Sequence, residues 1–227
     1  MTGLLDGPDG WTLAAEGAAI HLETRTAVVA DVHLGYEWAR AKSGDCVPAH
    51  SLDETIGLLA SMFGRVDVDR LIVAGDLVES RRHCRRTARD VSTLNRWLID
   101  RGVTLLALLG NHDPPRRPPL PSTIEVAGWT VGHGHRRIAA GKTISGHHHP
   151  SLRARGVNAR CFLINASTII LPAFSPNAAG VGLATLGPML ADDRADGPLR
   201  CLASSGGALL DFGPVPDLLR ALQGARC

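Results

Sequence analysis

Three short, predominantly apolar runs, at residues 27–30, 71–74 and 103–109, constrain the fold of this chain most. A strand with one wet face alternates apolar and polar side chains, so a continuous run predicts a strand buried on both faces. Two segments of helical periodicity separate the runs. In the first, Leu52, Ile56, Leu59 and Phe63 recur at helical spacing behind a Ser51–Glu54 capping-box pattern, and Gly64 stands where a C-terminal cap belongs. The second spans residues 84–101, with Ala88, Val91, Leu94 and Leu98 as its buried stripe and Gly102 ending it. The β-α-β-α-β order predicts parallel strands in an α/β layer.

On either side of this unit the pattern is strand-like. Trp11, Leu13 and Ala15, then Ile20 and Leu22 across a turn near Gly17, predict an N-terminal hairpin. After Pro121 the helical signal fades, and strands are predicted at 125–131, 142–145, 159–164, 167–171, 181–186 and 199–203, with a short closing helix at 216–223. The expectation is one α/β domain of two packed mixed sheets over 1–227. It comprises the hairpin (1–26), a core (27–150) and a remainder supplying second-sheet strands (151–227).

With 227 residues, 44% of them hydrophobic, the chain can fill one substantial core. Its 24 Lys+Arg against 22 Asp+Glu leave +2, which excludes an all-round basic coat for nucleic acid and leaves room for a local basic patch. No apolar run approaches membrane-spanning length. The five cysteines, Cys46, Cys84, Cys161, Cys201 and Cys227, are odd in number and never spaced as CxxC, which predicts reduced thiols. No Lys or Arg precedes Arg25, the wrong charge for a secretion signal, so a cytoplasmic location is expected.

The predicted strands end alike. Residues 27–30 run into Asp31-Val32-His33, 71–74 into Gly75-Asp76, and 105–109 into Gly110-Asn111-His112-Asp113. Trp129 to Val131 runs into Gly132-His133-Gly134-His135, and Thr143 to Ser145 into Gly146-His147-His148-His149. Sites in open α/β sheets lie beyond the carboxyl ends of strands, so the five segments are expected to converge on one rim. Carboxylate, amide carbonyl and imidazole together suit borderline divalent cations, and a thiolate site is excluded. His148, between two candidate ligands of an extended segment, is expected to point away.

Asp-x-His, Gly-Asp, Gly-Asn-His-Asp, a Gly-His step and a late Gly-His-x-His together resemble the calcineurin-like metallophosphoesterases. Ala-Asp-Val-His-Leu-Gly (30–35), Val47-Pro48, Gly-His-His-His-Pro (146–150) and Leu-Pro-Ala-Phe-Ser (171–175) are similar to the small bacterial and archaeal branch that includes the DNA-ligase-associated enzymes. One departure is Glu79-Ser80, where that branch often has a histidine after Gly-Asp. The resemblance implies a four-layer αββα sandwich and two divalent metal ions, Mn first, with Fe, Zn or Ni as alternatives. It implies Asp31, His33 and His149 on one ion, Asn111, His133 and His147 on the other, and Asp76 bridging. His135 stays open as the alternative to His133. His112 is implied as the acid that protonates the leaving oxygen, with Asp113 either orienting it or merely stabilising the turn.

The expected activity is hydrolysis of a phosphodiester, with single-stranded DNA as a candidate substrate and association with a DNA ligase or helicase implied by the resemblance. A small-molecule phosphomonoesterase or nucleotide pyrophosphohydrolase is the rival, and a non-catalytic metal-binding scaffold the remote one. Arg81, Arg85 and Arg89, read as one helical face beside Arg82 and Arg86, and Arg116 and Arg117 in the proline-rich stretch 114–121, are candidate phosphate contacts. Tyr36 and Trp38 are candidates for touching a base or leaving group, against core packing for Trp38.

Overall fold

A computed structural model describes residues 3–138, 141–154, 156–190 and 196–224. Strands β1 (Leu4–Asp6), β2 (Trp11–Ala14), β3 (Ala18–His21), β4 (Thr26–Val29), β5 (Arg70–Val73) and β6 (Thr104–Ala107) lie side by side in that order. β1 to β4 pair antiparallel, and β4, β5 and β6 are parallel. The three apolar runs are thus the parallel strands, joined through helices α2 (Ser51–Phe63) and α3 (Arg85–Ile99). A short helix α1 (Tyr36–Lys42), which the sequence reading lacks, follows the first strand end.

The second sheet holds β7 (Thr123–Val126), β8 (Trp129–Gly132), β9 (Thr143–Ser145), β10 (Pro150–Ala154), β11 (Val157–Ile164), β12 (Thr168–Ile170) and β13 (Val181–Gly182). Its order is β13-β10-β11-β12-β9-β8-β7, with β14 (Arg200–Ser205) paired to β11 and β15 (Ala208–Pro214) beside β14. Helices α4 (Leu183–Leu190) and α5 (Val215–Gly224) cover its outer face. Among the described residues no helix is long and apolar enough to cross a membrane.

Period-two geometry explains why β4 and β5 carry no polar face. Ala27, Val29, Leu71 and Val73 point into a core with α2 and α3, alongside Leu59, Met62, Leu94 and Leu98. Val28, Ala30, Ile72 and Ala74 point the other way, onto Trp129, Val131, Ile144 and Phe162 of the second sheet. A third core holds Cys161, Leu163, Ile170 and Cys201 against Leu183, Leu218 and Leu222. The result is the expected four layers, helices, sheet, sheet, helices.

Three local expectations are corrected. The strand at 125–131 is a hairpin, because Ala127 (φ 49°) and Gly128 (φ 77°) take the positive-φ pair that a tight two-residue turn requires. Of 181–186 only Val181–Gly182 is strand; Leu183 and Leu186, both buried, are three apart, a helical spacing. No capping box forms at Ser51, whose hydroxyl instead donates to the buried Glu37 carboxylate at 2.7 Å, tying α1 to α2; His50 is the cap. Cys46, Cys84, Cys161 and Cys201 are free thiols, and Cys227 lies outside the described residues.

Candidate metal centre

Parallel pairing of β4, β5 and β6, and of β8 and β9, brings their carboxyl ends to common edges. The loops are then stitched together. The Asp31 N–H donates to Gly75 O at 3.2 Å, the His33 N–H to Asp76 O at 3.0 Å, and the Gly146 N–H to His133 O at 3.1 Å. Side chains at two of the intervening glycines are excluded: a Cβ on Gly110 would run into Asp76, and one on Gly146 into Ala30 and Asp31.

Five candidate ligands sit in the left-handed region: Asp31 (φ 57°), His33 (53°), Asp76 (53°), His147 (69°) and His149 (44°). They are five of eight non-glycine residues with positive φ among those described. Such backbone costs about 1–3 kcal/mol per residue and concentrates where function demands it. It also corrects the backbone assumed for His148, which belongs to none of the donor groups among the described residues. Residues 146–149 are not an extended strand, and the left-handed turns at His147 and His149 set the arrangement.

Donor atoms of Asp31, His33 and His149 lie within 4.8 Å of one another, as do those of Asp31, Asp76 and His133, and of His33, Asp76 and His112. Asp31 is fully buried; its Oδ2 accepts the His147 N–H at 2.8 Å, while Oδ1 makes no aligned hydrogen bond and faces His149 Nε2 at 3.1 Å. Asp76 Oδ1 accepts the His112 N–H at 2.7 Å. The His133 ring donates from Nδ1 to Ala74 O at 3.0 Å, so its Nε2 carries the lone pair of the neutral ring. That nitrogen faces Asn111 Oδ1 at 2.9 Å and Asp76 Oδ2 at 3.2 Å. Three electron-pair donors thus converge, and only a proton or a cation holds them together.

The electrostatics agree. Burial disfavours the His133 imidazolium, but the Asp76 and Asp31 carboxylates outweigh it and push its pKa up. Burial also disfavours the Asp76 carboxylate, yet the His133 ring and the His112 amide hold its pKa down to about 2. Burial and the neighbouring His133 and His148 rings hold His147 down to about 4, leaving it neutral at pH 7, the form that ligates metals. Both nitrogens of the buried His33 ring lack an aligned hydrogen bond. This oxygen- and imidazole-rich donor set fits borderline divalent ions.

His147 lies beside the clusters, its ring centroid 4.9 Å from that of His133. His135 is 5.1 Å from His133 on the same measure and belongs to none of the donor groups, so the geometry favours His133 over His135. The Asp113 carboxylate accepts N–H bonds from Asp76 and Gly110 at 2.9 Å and from Val78 at 3.3 Å. It braces two loops rather than orienting the His112 ring, and burial pushes its pKa up. The group that orients His112 is the Glu79 carbonyl, which accepts its Nδ1–H at 2.7 Å. Glu79 Oε2 also stands 2.9 Å from His33 Nδ1, at ion-pair distance. Sequence reasoning marked Glu79 only as a departure.

Trp38 is packing, not a platform for a base: its Nε1–H donates to Asp90 at 2.7 Å and Arg86 lies 4.8 Å over its ring. Arg81 and Arg82 precede α3, whose cap is Cys84, so Arg81 does not share the helical face of Arg85 and Arg89. Arg116 and Arg117 are exposed in an irregular segment. Among the described contacts, none of these five candidate arginines reaches the Asp/His cluster.

Residues 24–164 match the family model of calcineurin-like phosphoesterases. No curated protein matches the chain. Twelve chains of solved structures do, among them a Pseudomonas putida protein described as nuclease MPE. It is 21% identical, with a TM-score of 0.66, over 91% of this chain and 98% of that one. At that identity the likeness is one of fold.

Proposed function

The chain belongs to the calcineurin-like phosphoesterase family, a metal-dependent hydrolase family, and on that premise we propose that it cleaves phosphodiesters, with DNA as their source. The convergence of His133 Nε2, Asn111 Oδ1 and Asp76 Oδ2 carries the reading. Asp31, His33 and His149 would hold one cation, Asn111, His133 and His147 a second, and Asp76 both. Two divalent ions bound there, manganese first among them, supply the positive charge that activates water and offsets the charge of a phosphoryl group in transfer.

The remaining roles belong to the chain. Because His112 Nδ1–H is held by the Glu79 carbonyl, Nε2 is the atom left to face the leaving oxygen. It is the imidazolium form of the ring that gives that oxygen its Nε2 proton and returns to the neutral Nδ1–H tautomer. Asp113 keeps the Asp76 and Asn111 loops in register through its three amide bonds. A like-folded protein described as a nuclease supports a nucleic-acid substrate, as do the arginines that follow Asp76 and Asp113 in the sequence. A role in DNA repair, with a ligase or helicase as partner, and a cytoplasmic setting complete the proposal.

A second reading, a small-molecule phosphomonoesterase, draws on a polar cavity of about 510 Å³ beside His149, lined also by Ser151, Asn158, Arg160, Ser175 and Asn177. Hydrolysis of aryl phosphodiesters and monoesters with added Mn²⁺ decides between them. Diester turnover above an Asp76→Ala control is expected; a preference for monoesters favours the second reading, and no turnover refutes both. His112→Ala should keep its metal content while losing about 10²–10⁴ in rate, most for poor leaving groups.

A further inference from the structure

The exposed face of α3 carries charge that nothing in the fold explains. Arg85, Arg89 and Arg96 fall within about 40° of one another at 100° per residue, opposite the buried Leu94 and Leu98. With His83, Ser92 and Thr93 they line a surface groove of about 540 Å³. No carboxylate within ion-pair distance of Arg85, Arg89 or Arg96 is found among the described residues. The one acid on the helix, Asp90, is taken by Trp38.

The placement works against the helix. Its first turn has no acidic residue and two arginines, Arg85 and Arg86, where the helix dipole favours anions. Arg85 and Arg89 also repel each other one turn apart. A merely solvated face would not need this arrangement; an anion lying along it relieves both costs. The helix is anchored beside the metal centre by its other face. Gly35, two residues past His33, packs against Thr87 so closely that a Cβ there would strike it, and Thr87 lies about 180° around the helix from the arginine row. Glu79, in contact with His33 and His112, is six residues upstream of Arg85.

We propose that this groove is the track on which a single strand of nucleic acid is held by its phosphates. From Arg85 to Arg96 the row covers roughly 16 Å of helix, too long for one phosphate and suited to a run of them. No Phe, Tyr or Trp is in the lining of the groove, so it reads the backbone and not the bases. His83, Arg96, Ser92 and Thr93 join the arginines that the sequence marked. The substrate class rests on the phosphodiesterase reading; the anion-binding surface does not.

The test is fluorescence-anisotropy titration of a labelled phosphorothioate oligothymidylate, which keeps its charges and resists cleavage, with metal-loaded protein across a salt series. Replacing Arg85, Arg89 and Arg96 together by Gln should weaken binding roughly tenfold or more and make the log–log salt slope shallower by about 2. Replacing the same three by Lys should restore the slope, which separates charge from any loss of folding. An unchanged affinity and slope in the Gln variant overturns the track. Loss of binding in a protein whose wild type cleaves no diester leaves the anion surface standing and removes the phosphodiesterase reading instead.

Discussion

At the scale of single residues, the centre depends on side chains that touch no substrate. Glu79 serves two rings at once, His33 through its carboxylate and His112 through its carbonyl. Outer partners of this kind fix the ring orientation of a ligating histidine, and losing one typically costs about 10–100-fold in metal affinity. Glu79→Ala should therefore weaken Mn²⁺ binding by that order in isothermal titration, with Glu79→Gln recovering part of it. An unchanged affinity would mean that His33 is held by packing alone. Asp113 shows the same economy of design in reverse. Its neighbour His112 made it look like an orienting acid, whereas its oxygens are occupied by amides of two strand-end loops.

At the scale of elements, β4 and β5 were legible because burial on both faces leaves them apolar after their first residue, whereas β6, at the sheet edge, is only half-buried and opens on the exposed Thr104. Helices α2 and α3 were legible because one apolar stripe recurs at helical spacing. The elements missed are those whose signal is diluted. β10 mixes Pro150 and Arg153 into its five residues, β15 exposes Leu210 and Phe212, and α1 is seven residues long and buries Glu37. That buried carboxylate accounts for the Ser51 hydroxyl, which serves α1 instead of capping α2. Ser51→Ala would leave Glu37 without this donor inside the protein, and a loss of about 1–3 kcal/mol in urea denaturation is expected. A loss of a few tenths, the size of a weak cap, would show that Glu37 finds another partner.

At the scale of the whole molecule, the two sheets are held face to face by one apolar layer. Trp11 of the first sheet and Trp129 of the second meet edge-on at 6.4 Å, both essentially inaccessible to solvent. The strand ends that carry the Asp/His groups issue from both sheets, so this layer also sets the spacing of the donors. Trp129→Ala should cost about 3–5 kcal/mol in chemical denaturation, the range for emptying a large core site. A cost under about 1 kcal/mol would show that the sheets are registered elsewhere.

The sequence by itself determined which residue types stand at which strand ends, because a buried parallel strand must be apolar along its length and the change to Asp, Asn or His marks where it stops. It also determined the family, through the order and spacing of those groups. Only the tertiary structure decided that His133 and not His135 faces Asp76, that Asp113 braces loops, that Glu79 holds two histidines, and that Arg96 joins Arg85 and Arg89. Those outcomes turn on left-handed backbone at isolated residues and on contacts between segments far apart in the chain. Neither leaves a periodic trace in the order of amino acids.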